Sequence, residues 1–163
     1  MIESAATISY DYIPEIVIPI SKRQSPLENL QITFPSYTDI ITSRYGKFPV
    51  HYAKLWKIAE KASLRPNNEE SPSDESIIWS YLVIQQFEAI GIPPSQVVAS
   101  AEGGTAVCFV AGNKYADIES LNSGTLLGVI SDKRNRPNVW EVEQSTRGIA
   151  QAALRICNFL NAP

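Results

Sequence analysis

The sequence predicts an α+β domain in which an antiparallel β-meander of four to five strands packs with about three helices. Two observations carry this expectation. Between residues 97 and 142, three glycine-containing turn signals, Gly103-Gly104, Gly112-Asn113 and Ser123-Gly124, separate short runs of strand-forming residues, the pattern of consecutive hairpins. Before and after that stretch apolar residues recur at intervals of three and four, the period of a helix, with no alternation of strand, helix and strand that would signal a parallel sheet.

The bulk properties agree with one ordinary domain. A chain of 163 residues with 44% hydrophobic and 19% charged residues buries roughly 70% of its unfolded surface when it folds around one core. The net charge of -3 sets it apart from domains whose main task is to neutralise phosphates, which argues against nucleic acid as a partner. Cys108 and Cys157 fall on a predicted strand and a predicted helix. Two thiols make no disulfide framework, and they read as reduced, buried side chains in a cytoplasmic protein, a single disulfide being the alternative. Glu3, Asp11, Pro14, Glu15 and Pro19 break up the N-terminal apolar residues, which argues against a signal peptide. No run approaches the roughly 18 apolar residues of a membrane span.

Residues 1–36 read as an extended N-terminal arm and 37–163 as the single domain. In the arm, Ile8, Tyr10 and Tyr12 alternate with polar neighbours, and Ile16, Val17, Ile18 and Ile20 surround Pro19. Proline removes a ladder donor, which confines such a segment to an edge strand or a free arm. The arm either lies on its own domain or pairs with a second copy of the chain as a homodimer.

A first helix is predicted over Pro49 to Leu64, with proline in its first turn and Tyr52, Leu55, Trp56 and Ala59 on one face. Lys54, Lys57 and Lys61 form its solvated side. Arg65 to Ser73 reads as a surface loop. Ser71 or Ser73 then caps a second helix, which Asp74 and Glu75 favour at its positive end. Its expected apolar face is Ile77, Ile78, Tyr81, Leu82, Ile84 and Ile90. Gly91 ends it in the left-handed conformation with Ile92 folding back, and Pro93 and Pro94 forbid continuation. A C-terminal helix over residues 144–160 presents Ile149, Ala152, Ala153, Ile156, Cys157 and Leu160 to the sheet.

Taking each glycine signal as a two-residue turn sets a register for the meander. Val98 then faces Phe109, Phe109 faces Ala116, Val107 faces Ile118, and Ile118 faces Val129. The expected core face is Val98, Val107, Phe109, Ile118, Leu127 and Val129. The opposite face gathers Val97, Ala99, Ala101, Ala106, Cys108, Val110, Tyr115, Asp117, Glu119, Ile130 and Asp132, with Gly128 opposite Glu119. The second turn admits a three-residue bulge as an alternative. Val139 to Val142 forms a fifth strand bearing Trp140.

The segments Ser100-Ala101-Glu102-Gly103-Gly104, Lys114-Tyr115-Ala116-Asp117-Ile118-Glu119, Leu121-Asn122-Ser123-Gly124 and Val139-Trp140-Glu141-Val142 resemble a pattern in small uncharacterised bacterial proteins of unknown function. The likeness covers roughly the last third of the chain. It implies a bacterial origin and brings no catalytic residues.

The chemistry visible in the sequence is sparse. One histidine, His51, excludes multi-histidine metal sites, and a Ser-His or Cys-His nucleophile would have to use it. No glycine is followed by Gly-Lys-Ser/Thr, so there is no phosphate loop. No metal or cofactor is expected. The one constellation is Tyr115, Asp117, Glu119 and Asp132 on a common face, with space beside the carboxylates at Gly128, and Arg134 in the following loop as a cationic neighbour for Trp140. These five, Tyr115, Asp117, Glu119, Asp132 and Arg134, are the expected binding residues. The leading expectation is a non-enzymatic bacterial interaction or accessory protein that binds a protein partner through the meander or the N-terminal arm. The second is a carboxylate-based or metal-dependent hydrolase using the acidic face. The third, nucleic-acid binding through Lys54, Lys57, Lys61 and Arg134, is disfavoured by the net charge.

Overall fold

A computed structural model describes residues 47–64 and 71–162. The N-terminal arm, the boundary at residue 36, the homodimer through that arm and most of the loop after the first helix lie outside the described residues. Helices α1 (Pro49–Ser63) and α2 (Asp74–Ala89) precede the sheet. Strands β1 (Gln96–Ala99), β2 (Gly104–Ala111), β3 (Lys114–Leu121), β4 (Leu126–Ser131) and β5 (Asn138–Val142) follow, and α3 (Thr146–Asn161) closes the domain. The strands form one antiparallel sheet in sequential order. This is the expected α+β meander. None of the described helices is long and apolar enough to cross a membrane.

Local chemistry sets the helix ends. Pro49 opens α1, where its missing N–H costs nothing. The Phe48 N–H donates to Glu88 Oε1 and the Tyr52 hydroxyl to Glu88 Oε2, both at 3.0 Å, which joins the start of α1 to the end of α2. Ser73 caps α2 by accepting from the Ser76 N–H. Gly91 stops it at φ +74°, with the Ile92 N–H bonding to Phe87 O and the Gly91 N–H to Glu88 O, as a left-handed helix stop requires. Ser145 caps α3 through the Gly148 N–H.

Helices α2 and α3 lie across one face of the sheet, and α1 packs on α2 and against β1. The core between them holds Phe87, Ile84, Val83, Ile149 and Ile156 from helices and Phe109, Ile118, Val107 and Leu126 from strands, all essentially inaccessible. Each such aliphatic or aromatic side chain contributes roughly 1.5–3 kcal/mol by leaving water. Phe87 and Phe109 stack with centroids 3.9 Å apart.

The buried side of α2 matches the expected one in part. Ile77 and Ile84 are buried as expected, together with Ser76, Trp79, Ser80, Val83 and Phe87, while Ile78, Tyr81, Leu82 and Ile90 are half-buried. The two serines are tolerated because their hydroxyls find partners on the sheet. Ser80 Oγ lies 2.5 Å from Thr105 Oγ1 and 3.2 Å from Ser120 Oγ, and Thr105 donates to Ser76 O. Small, satisfied hydroxyls let this helix approach the strands closely.

Two of the three turns also depart from the expected two-residue form, and each shifts a register. Between β1 and β2 the chain spans Ser100 to Gly103, with the Ser100 N–H bonding to Gly104 O. Val97 therefore faces Val107 and Val98 faces Ala106. The offset from the expected pairing of Val98 with Phe109 is an odd number, so Val97, and not Val98, points into the core. The second turn, at Gly112-Asn113, has two residues, and Phe109 pairs with Ala116 and Val107 with Ile118 as expected. The third loop has three residues, Asn122 to Gly124, with Gly124 at φ +86° and the Leu121 N–H bonding to Thr125 O. It is a three-residue hairpin loop ended by a left-handed glycine, a form that had been weighed only as an alternative for the second turn. Ile118 faces Gly128, not Val129. Leu126 and Gly128 thus point inward, and Leu127 and Val129 leave the core for the other face.

Candidate functional site

The face of the sheet opposite α2 and α3 carries no helix among the described residues, and it holds most of the polar side chains singled out above. The β2–β3 register matches expectation, so Tyr115, Asp117 and Glu119 share that face at alternate positions of β3. Cys108 lies directly across from Asp117 on β2, and Val129 directly across on β4. The Tyr115 hydroxyl donates to Asp117 Oδ2 at 2.5 Å and lies 3.5 Å from Cys108 Sγ. Ser100, in the loop after β1, donates to Glu119 Oε1.

Burial between a thiol and a valine shapes the electrostatics here. Desolvation raises the Asp117 carboxyl above the ordinary carboxylate range, and the charge of Glu119 adds to it, both outweighing the Tyr115 hydrogen bond. Asp117 Oδ1 is buried with no hydrogen-bond partner. Tyr115 is pushed well above its usual range, first by burial and then by its bond to Asp117. Burial also raises the Cys108 thiol, reinforced by the charges of Asp117 and Glu119, which makes it a weak nucleophile. Cys108 and Cys157 are both free thiols.

Asp132 and Arg134 do not join this group. Asp132 lies past the end of β4, where its carboxylate accepts the backbone N–H groups of Asn135 at 2.9 Å and Arg134 at 3.0 Å and the side chain of Asn135. Those backbone bonds hold it below the usual carboxylate range. It shapes the β4–β5 loop. Arg134 is exposed in that loop. The cation over Trp140 is instead Arg155 of α3, 3.9 Å from the ring centroid. Trp140 faces the helices, because it pairs with Gly128 and both point inward. The space at Gly128 is filled by this indole and lies on the far side of the sheet from Glu119.

Among the described residues no group of three or more His, Cys, Asp or Glu side chains is placed to hold a metal ion. His51 is half-buried, and desolvation holds its imidazole below the ordinary range. Lys54, Lys57 and Lys61 are exposed on α1 beside β1, whereas Arg134 sits beyond β4 at the other side of the sheet. The four form no common basic surface. A cleft of about 680 Å³ runs between the end of α1 and the β1 edge, lined by Ile58, Lys61, Leu64, Pro72 and Val97, and holds none of the five expected binding residues.

The slipped third hairpin adds residues that sequence reasoning left in the core. Leu127 and Val129 sit half-buried on the helix-free face, next to Glu141 and Val139 of β5. Val110 and Val139 are each 56% exposed. The face is therefore an aliphatic surface with carboxylates set into it. The signal was present in Asn122-Ser123-Gly124, whose third-position glycine marks a three-residue loop. No protein-family model, curated protein or solved structure matches the chain.

Proposed function

We propose that this chain is a non-enzymatic interaction protein that binds a protein partner through the helix-free face of its meander. The observation that carries the reading is the composition of that face. Isolated exposed aliphatic residues are ordinary on any surface. Here Val110, Leu127, Val129 and Val139 share one side of a sheet whose other side is sealed by helices, and an accessible aliphatic sheet face is a docking surface or an aggregation hazard.

The polar groups of the face favour binding over turnover. Tyr115, Asp117, Glu119 and Ser100 are engaged with one another, the Cys108 thiol is held protonated by burial, and Asp132 lies elsewhere. A bacterial accessory factor acting in the cytoplasm fits this picture and the resemblance of the last third of the chain.

Affinity capture from the encoding organism tests the reading, with the full chain compared to a Val110→Asp/Val139→Asp variant of equal thermal stability. A protein retained by the parent and lost with the variant supports it. Equal retention by both, or multiple-turnover activity abolished by Asp117→Asn, contradicts it.

A further inference from the structure

Beyond that reading, we infer that the outer edge of β5 pairs with β5 of a second copy, antiparallel about a two-fold axis at Trp140, joining two five-stranded sheets into one. Backbone direction, register and charge order each point to this occupant.

Hydrogen-bonded and non-hydrogen-bonded pairs alternate along an antiparallel ladder. The Leu121 N–H bonds to Thr125 O, so on β4 Leu127 and Val129 turn their backbone groups to β3, and Leu126, Gly128 and Ile130 turn theirs to β5. The β5 partners of those three are Val142, Trp140 and Asn138. Val139 and Glu141 therefore direct their N–H and C=O groups out of the sheet, and among the described residues those groups meet no donor or acceptor. The other edge strand, β1, is flanked by α1. An open row of backbone groups is a template for another strand.

A two-fold pair of β5 strands must match these outward groups, and sequence chooses among the ways of doing so. Setting Glu141 opposite its counterpart places like charges face to face. Setting Val139 opposite its counterpart brings Glu141 to Pro137, which has no N–H to donate. Setting Val139 opposite Glu141 of the second copy avoids both faults and makes four backbone bonds. Trp140 then meets its counterpart on the helix side, where each indole leans over Gly128 and away from the edge.

The charges on either side of β5 are ordered for the same pairing. Lys133, Arg134 and Arg136 precede the strand, Glu141 and Glu143 end and follow it, and all five are exposed. Antiparallel pairing about the two-fold axis brings the basic end of each copy to the acidic end of the other. The chain's own residues 16–23 fit the edge less well. Laid antiparallel on β5, they bring Lys22 and Arg23 to the basic loop, like charge to like. Laid parallel, they form the weaker kind of ladder, with Pro19 in its middle.

A contact one strand wide falls below the roughly 800 Å² per partner of a standard interface, so the association is weak and sensitive to salt. The two copies keep their helix-free faces on the same side, and that surface stays open.

The test follows the full chain from about 10 μM to about 1 mM, reading mass by sedimentation equilibrium and amide hydrogen exchange by NMR. The expected result is a mass that climbs from 18.0 kDa towards twice that value. The amides of Val139 and Glu141 gain protection in step with it, and those of β1 do not. Salt at about 0.5 M weakens the dimer several-fold. Glu141→Lys weakens it likewise at unchanged Tm, and adding Arg134→Glu/Arg136→Glu restores part of the loss. Val139→Pro, which removes an outward donor and leaves the bonds to β4 in place, abolishes it. A mass that stays at the monomer value overturns the inference, whether the two amides exchange freely, as on a bare edge, or are protected at every concentration, as when residues 16–23 cover them. A dimer that leaves the amides of Val139 and Glu141 unprotected overturns it too.

Discussion

The indole of Trp140 lies flat over Gly128, its cross-strand neighbour, so closely that a β-carbon on the glycine would sit 2.3 Å from the ring. The Arg155 guanidinium also lies over that ring, 3.9 Å from its centroid. A β4 residue without a side chain thus lets a large aromatic close the helix-covered end of the sheet, and the register that makes this possible is the one that turns Leu127 and Val129 outward.

Gly128→Ala is therefore expected to displace Trp140 and destabilise the domain by about 1–3 kcal/mol, the usual cost of overpacking. Thermal denaturation reads this as a loss of several degrees. In a Trp140→Leu background the same change is expected to cost much less. An unchanged Tm in the parent background refutes the packing described.

The hydroxyl cluster beneath α2 gives a second expectation. Ser80→Ala leaves Ser120 without its partner and costs about 1–3 kcal/mol in chemical denaturation. Ser80→Val keeps that loss and adds bulk where Thr105 and Ser120 already close the space, so it is expected to cost more than alanine. If valine is as well tolerated as alanine, α2 does not approach the sheet as closely as described.

Asp117 predicts a pH dependence. Its folded-state carboxyl is raised above the unfolded one, so the folded protein binds the proton more tightly. The associated stability is complete below the unfolded value and is lost as pH rises through the folded one. Asp117→Asn is expected to be more stable than the parent at pH 7, with the difference shrinking towards pH 3.5. Urea midpoints at the two pH values check this, and a parent advantage at pH 7 contradicts it.

His51 acts in the opposite sense. Its pKa is lowered by burial, so the unfolded chain takes up the proton first, and stability falls as pH drops below about 6.5 towards the folded value. His51→Gln is expected to flatten the urea midpoint between pH 7 and 5.5. A dependence as steep as the parent's rules out His51 as its source.

Much of the architecture was legible because it rests on local chemistry. Pro49, the Ser73 cap, the Gly91 stop and the Gly112-Asn113 turn each act within a few residues, and their elements formed as expected. What escaped was decided across longer distances. Ser80 reads as surface in isolation and is buried only because Thr105 and Ser120 meet it. The loops at Gly103 and Gly124 shift the pairing from that of two-residue turns by three residues and one residue, odd numbers that leave the strand pattern unaltered and exchange its faces. The candidate site divided along the same line: Tyr115, Asp117 and Glu119 stand on the correctly registered strand pair, while Asp132 and Gly128 depended on the third loop and were misplaced.

The claim that the helix-free face meets another protein is tested most directly by a photo-crosslinking amino acid placed, in the encoding organism, at position 110 or 139, and at position 154 of α3 as a control of equal exposure. The account predicts one discrete adduct from 110 and 139 and none from 154. Adducts from 154 alone, or none from either sheet position under conditions where the control label reacts, would contradict it.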